Sequence, residues 1–241
     1  MKLSVIIPVY NEPRTIEEII DRVRASDIGE FEKEIIIVDD SDDGITRKIL
    51  REKIEPKVNI IIYNENKMGK GAAIRTGLKN VTGDFIIIQD ADLEYDPEEY
   101  ALLLKSVLDG EADVVLGSRY MNRTSQKDER HWHFFGNRFL TTLFNIFTHM
   151  HLTDVNTCYK LFKSEVINSI IIKENRFGAD AELVLKAVKL SARIKEVPVT
   201  YHERSYKEGK KIGLKDAFRE IFVLFKYGLS RTEKKNFNKA A

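Results

Sequence analysis

The chain has 241 residues, 43% of them hydrophobic, which is enough to bury one large core and leaves little room for a second independent domain. With 39 Lys+Arg against 38 Asp+Glu the formal charge is +1, so the molecule as a whole has no bias toward polyanions and no nucleic-acid partner is expected. The charge is uneven, because Tyr201 to Ala241 has 11 basic and 5 acidic residues and the first 200 residues are net acidic, so an anionic partner is expected at the C-terminal end.

Leu3 to Val9 is a short apolar run rich in β-branched residues, and Glu34 to Val38 and Asp84 to Ile88 resemble it. Runs of this length bounded by polar residues suit strands buried on both faces of a parallel sheet. Between the first two, Ile16, Ile19, Ile20 and Val23 recur at helical spacing within Thr15 to Ala25. Asn59 to Tyr63 predicts a strand, Gly71 to Lys79 a helix, Glu98 to Asp109 another helix and Ala112 to Leu116 another strand. This alternation predicts a right-handed, doubly wound α/β sheet. The second half is less regular: helices are expected over Phe135 to Thr148, Ala181 to Leu190 and Leu214 to Leu229, with a last strand over Ile194 to Tyr201. A polar basic tail follows from Ser230.

Asp90-Ala91-Asp92 then falls just beyond the C-terminal end of a strand, the edge where open α/β sheets bind ligands. Two carboxylates one residue apart can turn toward one site if the strand breaks there, and an oxygen-rich site of that kind suits Mg²⁺ or Mn²⁺. Glu94 could add a third oxygen, and Ala91 is small enough to let a nucleotide lie against the backbone. A solvated acidic turn is the other reading of the same residues. Pro8-Val9-Tyr10-Asn11-Glu12 and Val38-Asp39-Asp40-Ser41 follow the first two strands and emerge at the same edge. They offer a ring to stack on a base, and an amide and carboxylates to bond the base edge or a ribose.

The series PVYNE, IVDDSDDG, NKMGKGAAIRTG, DADLEYDPEE and GSRY, in that order, resembles the family 2 inverting glycosyltransferases of the GT-A fold, and within them the polyprenyl-phosphate branch. The likeness is dense over residues 3 to about 120 and looser onward through TDVNTCYKLF, FGADAEL and EVPVTYHERSYKEGKKI. It implies one GT-A (Rossmann-like) domain over 1–229, with 1–120 as a nucleotide-sugar-binding half and 121–229 as an acceptor-binding half; 230–241 is the tail. It further implies that Pro8, Tyr10, Glu12 and Asp40 line the nucleoside pocket and that Asp90, Asp92 and Glu94 hold the metal. Lys70, in a Gly-Lys-Gly turn entering a helix, would touch the diphosphate or simply serve the turn.

The resemblance places Arg119 at a phosphate, where its fork can grip two oxygens, and sets Arg204 with Lys207, Lys210 and Lys211 on a loop closing over donor or acceptor phosphate. A solvated loop is the bland alternative for the lysines. Direct displacement at the anomeric carbon would leave a nucleoside diphosphate whose charge the metal and these cations stabilise. An alcohol acceptor would need a base, Asp180 or Glu182, unless these only cap a helix. A lipid phosphate, already anionic, would need none and would be gathered by Arg119, Arg130 and Arg204. Three functions are open on this reading: transfer to a polyprenyl phosphate, transfer to a saccharide or other hydroxyl compound, and a nucleotide-binding module without turnover.

Leu214, Phe218, Ile221, Phe222, Phe225 and Leu229 repeat at helical spacing beside Lys215, Arg219 and Lys226, a pattern suited to a bilayer interface or to packing on the sheet. Phe135, Phe139, Leu143, Phe144 and Phe147 give a companion helix with the same two readings. His131, His133, His149 and His151 have aromatic rather than carboxylate neighbours and suit, with Trp132, a lipid-facing rim better than a metal. The single cysteine, Cys158, rules out an intrachain disulfide, and no apolar stretch reaches membrane-spanning length. The expectation is a cytoplasmic protein, free or peripheral on the cytoplasmic membrane face, with a separate membrane-protein partner as one option.

Overall fold

A computed structural model describes residues 1–121, 131–204 and 214–230. Arg130, Lys207, Lys210, Lys211 and residues 231–241 of the tail lie outside the described residues, as do the side chains of His131, Trp132, His133, Leu214 and Lys215.

The chain runs β1 (Lys2–Val9), α1 (Ile16–Ala25), β2 (Glu32–Asp39), α2 (Ile45–Ile49), β3 (Ile60–Tyr63), α3 (Lys70–Gly77), β4 (Phe85–Ile88), α4 (Tyr100–Leu108) and β5 (Val114–Ser118). It continues through α5 (His131–Thr148), β6 (Lys160–Lys163), α6 (Ser164–Asn168), α7 (Gly178–Lys189), β7 (Ile194–Pro198) and α8 (Leu214–Leu229). Each expected strand and helix is present, with ends shifted by a few residues. The sequence reading gives no element between Val38 and Asn59, where α2 continues through wider and then tighter helical turns to Lys57, burying Leu50 and Ile54. Nor does it give β6, whose four residues begin and end with lysine.

Seven strands form one sheet in the order β3-β2-β1-β4-β6-β5-β7. Only β6 is antiparallel to its neighbours, pairing with β4 and β5. The other six therefore end at one edge, and strand order reverses between β1 and β4, the place where ligands of such sheets bind. Ile residues of β1 and β4 alternate between two buried clusters, one on each face, and Ile35, Ile36 and Ile37 of β2 are all buried, which explains why these strands read as continuous apolar runs. On one face α1 buries Ile16, Ile19, Ile20 and Val23, with Glu17 and Glu18 in its first turn and Arg22 and Arg24 in its last, the arrangement its dipole favours.

The opposite face is covered by α3, α5, α7 and α8. One side of α5 and of α8 packs in the core, and the other side of each is exposed. Leu140 and Phe144 of α5, and Val223, Leu224 and Tyr227 of α8, are buried. Phe135, Phe139 and Ile146, and Phe218, Phe222, Phe225 and Leu229, are exposed. The two helices meet where the Phe147 and Phe225 rings stand 5.1 Å apart edge to face and Gly228 lets Phe147 approach. Among the described residues no helix is long and apolar enough to cross a membrane.

Candidate active site

Four strand ends build the site. After β1, Asn11 takes a left-handed backbone (φ 51°) that turns Tyr10-Asn11-Glu12 across the edge. The Asn11 amide donates to Asp42 Oδ1 at 2.6 Å and the Tyr10 hydroxyl to Asp42 Oδ2 at 3.1 Å, while the Lys67 ammonium lies 3.6 Å from the centre of the Tyr10 ring. Pro8 is half-buried in the last turn of the strand. After β2, Asp39 is fully buried on Arg47, whose Nε donates to it at 2.9 Å. Asp40 accepts from the backbone N–H groups of Met68 and Gly69 at 3.1 and 2.6 Å and from the Asn64 amide at 2.5 Å. Asp40 thus holds the 64–69 loop, and with it the start of α3.

Lys70 opens that helix. A side chain at Gly71 would collide with the Glu174 carbonyl and the Ala179 methyl, so α3 approaches the beginning of α7 closely. The contact brings the Lys70 ammonium between Asp90 Oδ1 at 2.8 Å and Asp180 Oδ2 at 3.4 Å. Asp180 also meets Lys160 of β6 at 3.1 Å, a fully buried lysine that donates to the Thr157 carbonyl as well. Burial works against the charge on Lys70, but Asp180 and Asp90 overrule it and raise its pKa well above the ordinary lysine value.

After β4 the chain reverses at Leu93, in the left-handed region at φ 64°, and the Glu94 N–H donates to Asp92 Oδ1 at 3.1 Å. Ala91 is buried, and its carbonyl accepts from the Thr15 hydroxyl at 2.7 Å, so the triplet is fastened to the start of α1. The two aspartates differ sharply. Burial would raise the Asp90 pKa, but Lys70 and a hydrogen bond from the Cys158 thiol hold it below the usual carboxylate value. Asp92 is pushed up to about 8, by burial first and then by the Asp90 and Glu94 charges, with Arg204 opposing.

Arg204 reaches in from the segment after β7. Its guanidinium meets Asp92 Oδ2 at 2.7 Å and Glu12 Oε2 at 3.0 Å, and its Nε, buried without a hydrogen-bond partner, stands 3.7 Å from Glu94 Oε1. Glu94 itself accepts from the Tyr201 hydroxyl and the Arg204 N–H, each at 3.0 Å.

The structure therefore brings Tyr10, Asn11, Glu12, Asp39, Asp40, Lys70, Asp90, Asp92, Glu94, Asp180 and Arg204 to one edge. It arranges Arg119 differently from the simple phosphate fork of the sequence reading. Arg119 is buried, and its Nε and terminal nitrogen bond Asp154 at 2.7 and 2.8 Å, with its backbone N–H on the same carboxylate at 3.1 Å. One face of its guanidinium lies 5.0 Å from the Tyr201 ring. Glu182 faces away from the chemistry, accepting from the N–H groups of Lys173 and Glu174. The sequence reading misses Arg47, Asp154, Lys160 and Tyr201. Only Lys160 carried a signal, a charge inside an apolar run; the others are distant partners that sequence alone does not join.

Among the described residues no three His, Cys, Asp or Glu side chains converge as a ready-made metal cage. What the edge offers is narrower: two part-buried carboxyl groups, one of them poorly compensated, beside cations suited to phosphate. Mg²⁺ and Mn²⁺ sites commonly use one or two carboxylates and take the rest of their oxygens from phosphate and water, so Asp90 and Asp92 fit such an ion. Glu94 is engaged by the 201–204 segment instead.

The family model described as Glycosyl transferase family 2 matches residues 4–171. The chain is 28% identical over 236 residues to a dolichol-phosphate mannosyltransferase of Pyrococcus furiosus, covering 94% of this chain and 64% of the relative. It is 30% identical over 212 residues to an undecaprenyl-phosphate 4-deoxy-4-formamido-L-arabinose transferase of Edwardsiella ictaluri, covering 86% and 62%. The chain thus spans less than two thirds of the length of these curated relatives. In fold it is similar to glucosyl-3-phosphoglycerate synthase from Mycobacterium tuberculosis, solved with Mn²⁺, UDP and phosphoglyceric acid (TM-score 0.70, 17% identity, 96% of this chain and 80% of that one).

Proposed function

The chain belongs to glycosyl transferase family 2, and from that premise we propose that it moves one sugar from a UDP- or GDP-sugar to a polyprenyl (dolichyl-type) phosphate, with inversion and with Mg²⁺ or Mn²⁺ held by Asp90 and Asp92. The observation that carries the reading is the pairing of two part-buried carboxyl groups, Asp90 and the poorly compensated Asp92, with Lys70 and Arg204 where strand order reverses. Relatives named for undecaprenyl and dolichol phosphate support the acceptor class.

When bound, the ion would supply positive charge to the departing nucleoside diphosphate. Lys70, at a helix N-terminus, adds a second cation on the same oxygens. Arg204 exchanges its contact with Asp92 for the diphosphate, and its unsatisfied Nε gains a partner in doing so. Tyr10, Glu12 and Asp40 border the nucleoside, and Pro8, Asn11, Asp39 and Ala91 shape the backbone around it. A phosphate acceptor is already an anion and needs no base, so Asp180 holds Lys70 and Lys160 in place rather than taking a proton. In this reading residues 121–229 form the acceptor half, where Arg130 and Lys210 serve phosphate, while Arg119 at its border is held by Asp154.

The exposed Phe218, Phe222, Phe225 and Leu229, with Arg219 and Lys226 beside them, suit an interface with anionic headgroups. We place the protein peripherally on the cytoplasmic membrane face, where a separate membrane-protein partner can take up the lipid-linked product. The test is transfer of labelled sugar from UDP- and GDP-hexoses to undecaprenyl phosphate in vesicles and, in parallel, to free saccharides. Transfer to the lipid, stopped by EDTA and restored by Mn²⁺, is expected; transfer to saccharides alone would overturn the reading.

A further inference from the structure

Lys160 opens β6, the antiparallel strand, with Ile88 of β4 on one side and Leu116 of β5 on the other. Nothing of the residue reaches solvent. Its strand neighbours are apolar and Leu161 and Phe162 follow it, so the core alone would be served by a hydrophobic side chain. An ammonium enclosed at such a place is strongly disfavoured unless it is paired and hydrogen-bonded. Its partners are the Thr157 carbonyl and Asp180 Oδ1, the latter at 3.1 Å. Asp180 is itself buried, in the first turn of α7.

Asp180 is shared between two cations. Lys160 takes Oδ1, and Lys70 stands 3.4 Å from Oδ2 while it reaches both oxygens of Asp90, at 2.8 and 3.2 Å. Lys160, Asp180, Lys70 and Asp90 thus form a row of alternating sign. Side-chain exposure rises along it, 0, 7, 9 and 14%, so the row runs from the interior to the edge where the site lies. It is also biased in one direction. Asp180 is closer to Lys160 than to Lys70, and Lys70 is closer to Asp90 than to Asp180.

The bias has an electrostatic cause. Without the Lys160 charge, Asp180 would keep Lys70 as its remaining ion-pair partner among the described residues. Attraction between such a pair is strong where water is excluded, and it would draw Lys70 inward, off Asp90. The close approach of α3 to α7 at Gly71 and Ala179 keeps Asp180 within reach for that capture. We propose that Lys160 is a positioning residue for donor binding: by neutralising Asp180 it leaves the Lys70 charge to the outer edge, for Asp90 and then for the diphosphate. Lys160 itself touches no substrate. The inference rests on the glycosyltransferase reading above, in which Lys70 meets the diphosphate.

It is tested by calorimetric titration of UDP and GDP, with Mn²⁺ present, onto the unaltered chain, Lys70→Met, Lys160→Met and the double variant Lys160→Met/Asp180→Asn. Lys160→Met should weaken the nucleotide that the unaltered chain binds about tenfold, much as Lys70→Met does, because each loses one charge-assisted hydrogen bond. The double variant also lacks the charge that captures Lys70 and should return to within about threefold of the unaltered affinity, a recovery that a purely structural role would not produce. Unchanged affinity in Lys160→Met, or a double variant as weak as the single one, overturns the proposal while the donor reading stands. Failure of the unaltered chain to bind either nucleotide, or full affinity in Lys70→Met, overturns the placing of Lys70 on the diphosphate and the inference with it. Should Lys160→Met lose cooperative melting, Lys160→Gln keeps a donor for the Thr157 carbonyl and carries the same expectation.

Discussion

The two ends of the sheet treat buried carboxylates in opposite ways. At the amino end, Glu34 accepts from the Thr82 N–H at 2.8 Å and from the Ser4 and Thr82 hydroxyls. Asp113 takes a two-nitrogen grip from Arg193, at 2.8 and 3.0 Å, and a further bond from Lys163 at 3.0 Å. Both pKa values lie below the ordinary range: burial opposes this for Glu34 and is overcome by its donors, and Arg193 is the main cause for Asp113. At the carboxyl end Asp92 is raised to about 8. One end is satisfied for folding. The other leaves Asp92 with too little positive charge nearby to ionise readily, a deficit that a cationic ligand would make good, which is how a working site differs from a structural ion-pair network.

The contrast can be broken most forcefully by removing one acid from each end. Asp92→Asn should lower kcat/KM by about 10²-fold or more while the melting temperature stays within a few degrees, because a like charge is lost along with a cation contact. Asp113→Ala should do the reverse, leaving kcat/KM within about twofold and lowering stability by roughly 1–2 kcal/mol, a figure reduced for the half-exposed Arg193. Activity and thermal melting of the two variants check this. If Asp113→Ala lost activity at full stability, the division between the ends would fail.

A smaller effect sharpens the same contrast through pH. Because the folded pKa of Asp113 is depressed, its stabilisation is present above its unfolded value, about 3.9, and is lost as pH falls below it. The melting temperature of the unaltered chain should therefore drop on acidification through that window, and Asp113→Asn should drop less, its stability already being lower at neutral pH. Parallel curves for the two proteins would show that Asp113 gains nothing from Arg193 in the fold.

The amino-acid sequence makes most of the sheet legible because Leu3 to Val9 and Asp84 to Ile88 are buried on both faces and read as unbroken apolar runs. It hides β6, since Lys160 and Lys163 flank Leu161 and Phe162 and their charges are neutralised only by distant Asp180 and Asp113. The acidic triplet and its edge were readable from strand-end placement. The partners that decide each acid's state were not: Lys70 reaches Asp90 across 20 residues and Arg204 reaches Asp92 across 112. Arg119 shows the limit most clearly, for its fork invites phosphate in sequence, while the buried Asp154, 35 residues on, takes both nitrogens in the fold.

Calorimetric titration of UDP and GDP with and without Mn²⁺ onto the unaltered chain and onto Asp90→Asn/Asp92→Asn tests the central claim most directly. The nucleotide that binds should do so at least about tenfold more tightly with Mn²⁺ in the unaltered chain, and the double variant should show no Mn²⁺ effect. The same Mn²⁺-dependent gain in the variant would contradict a cation shared by those two carboxylates and the donor.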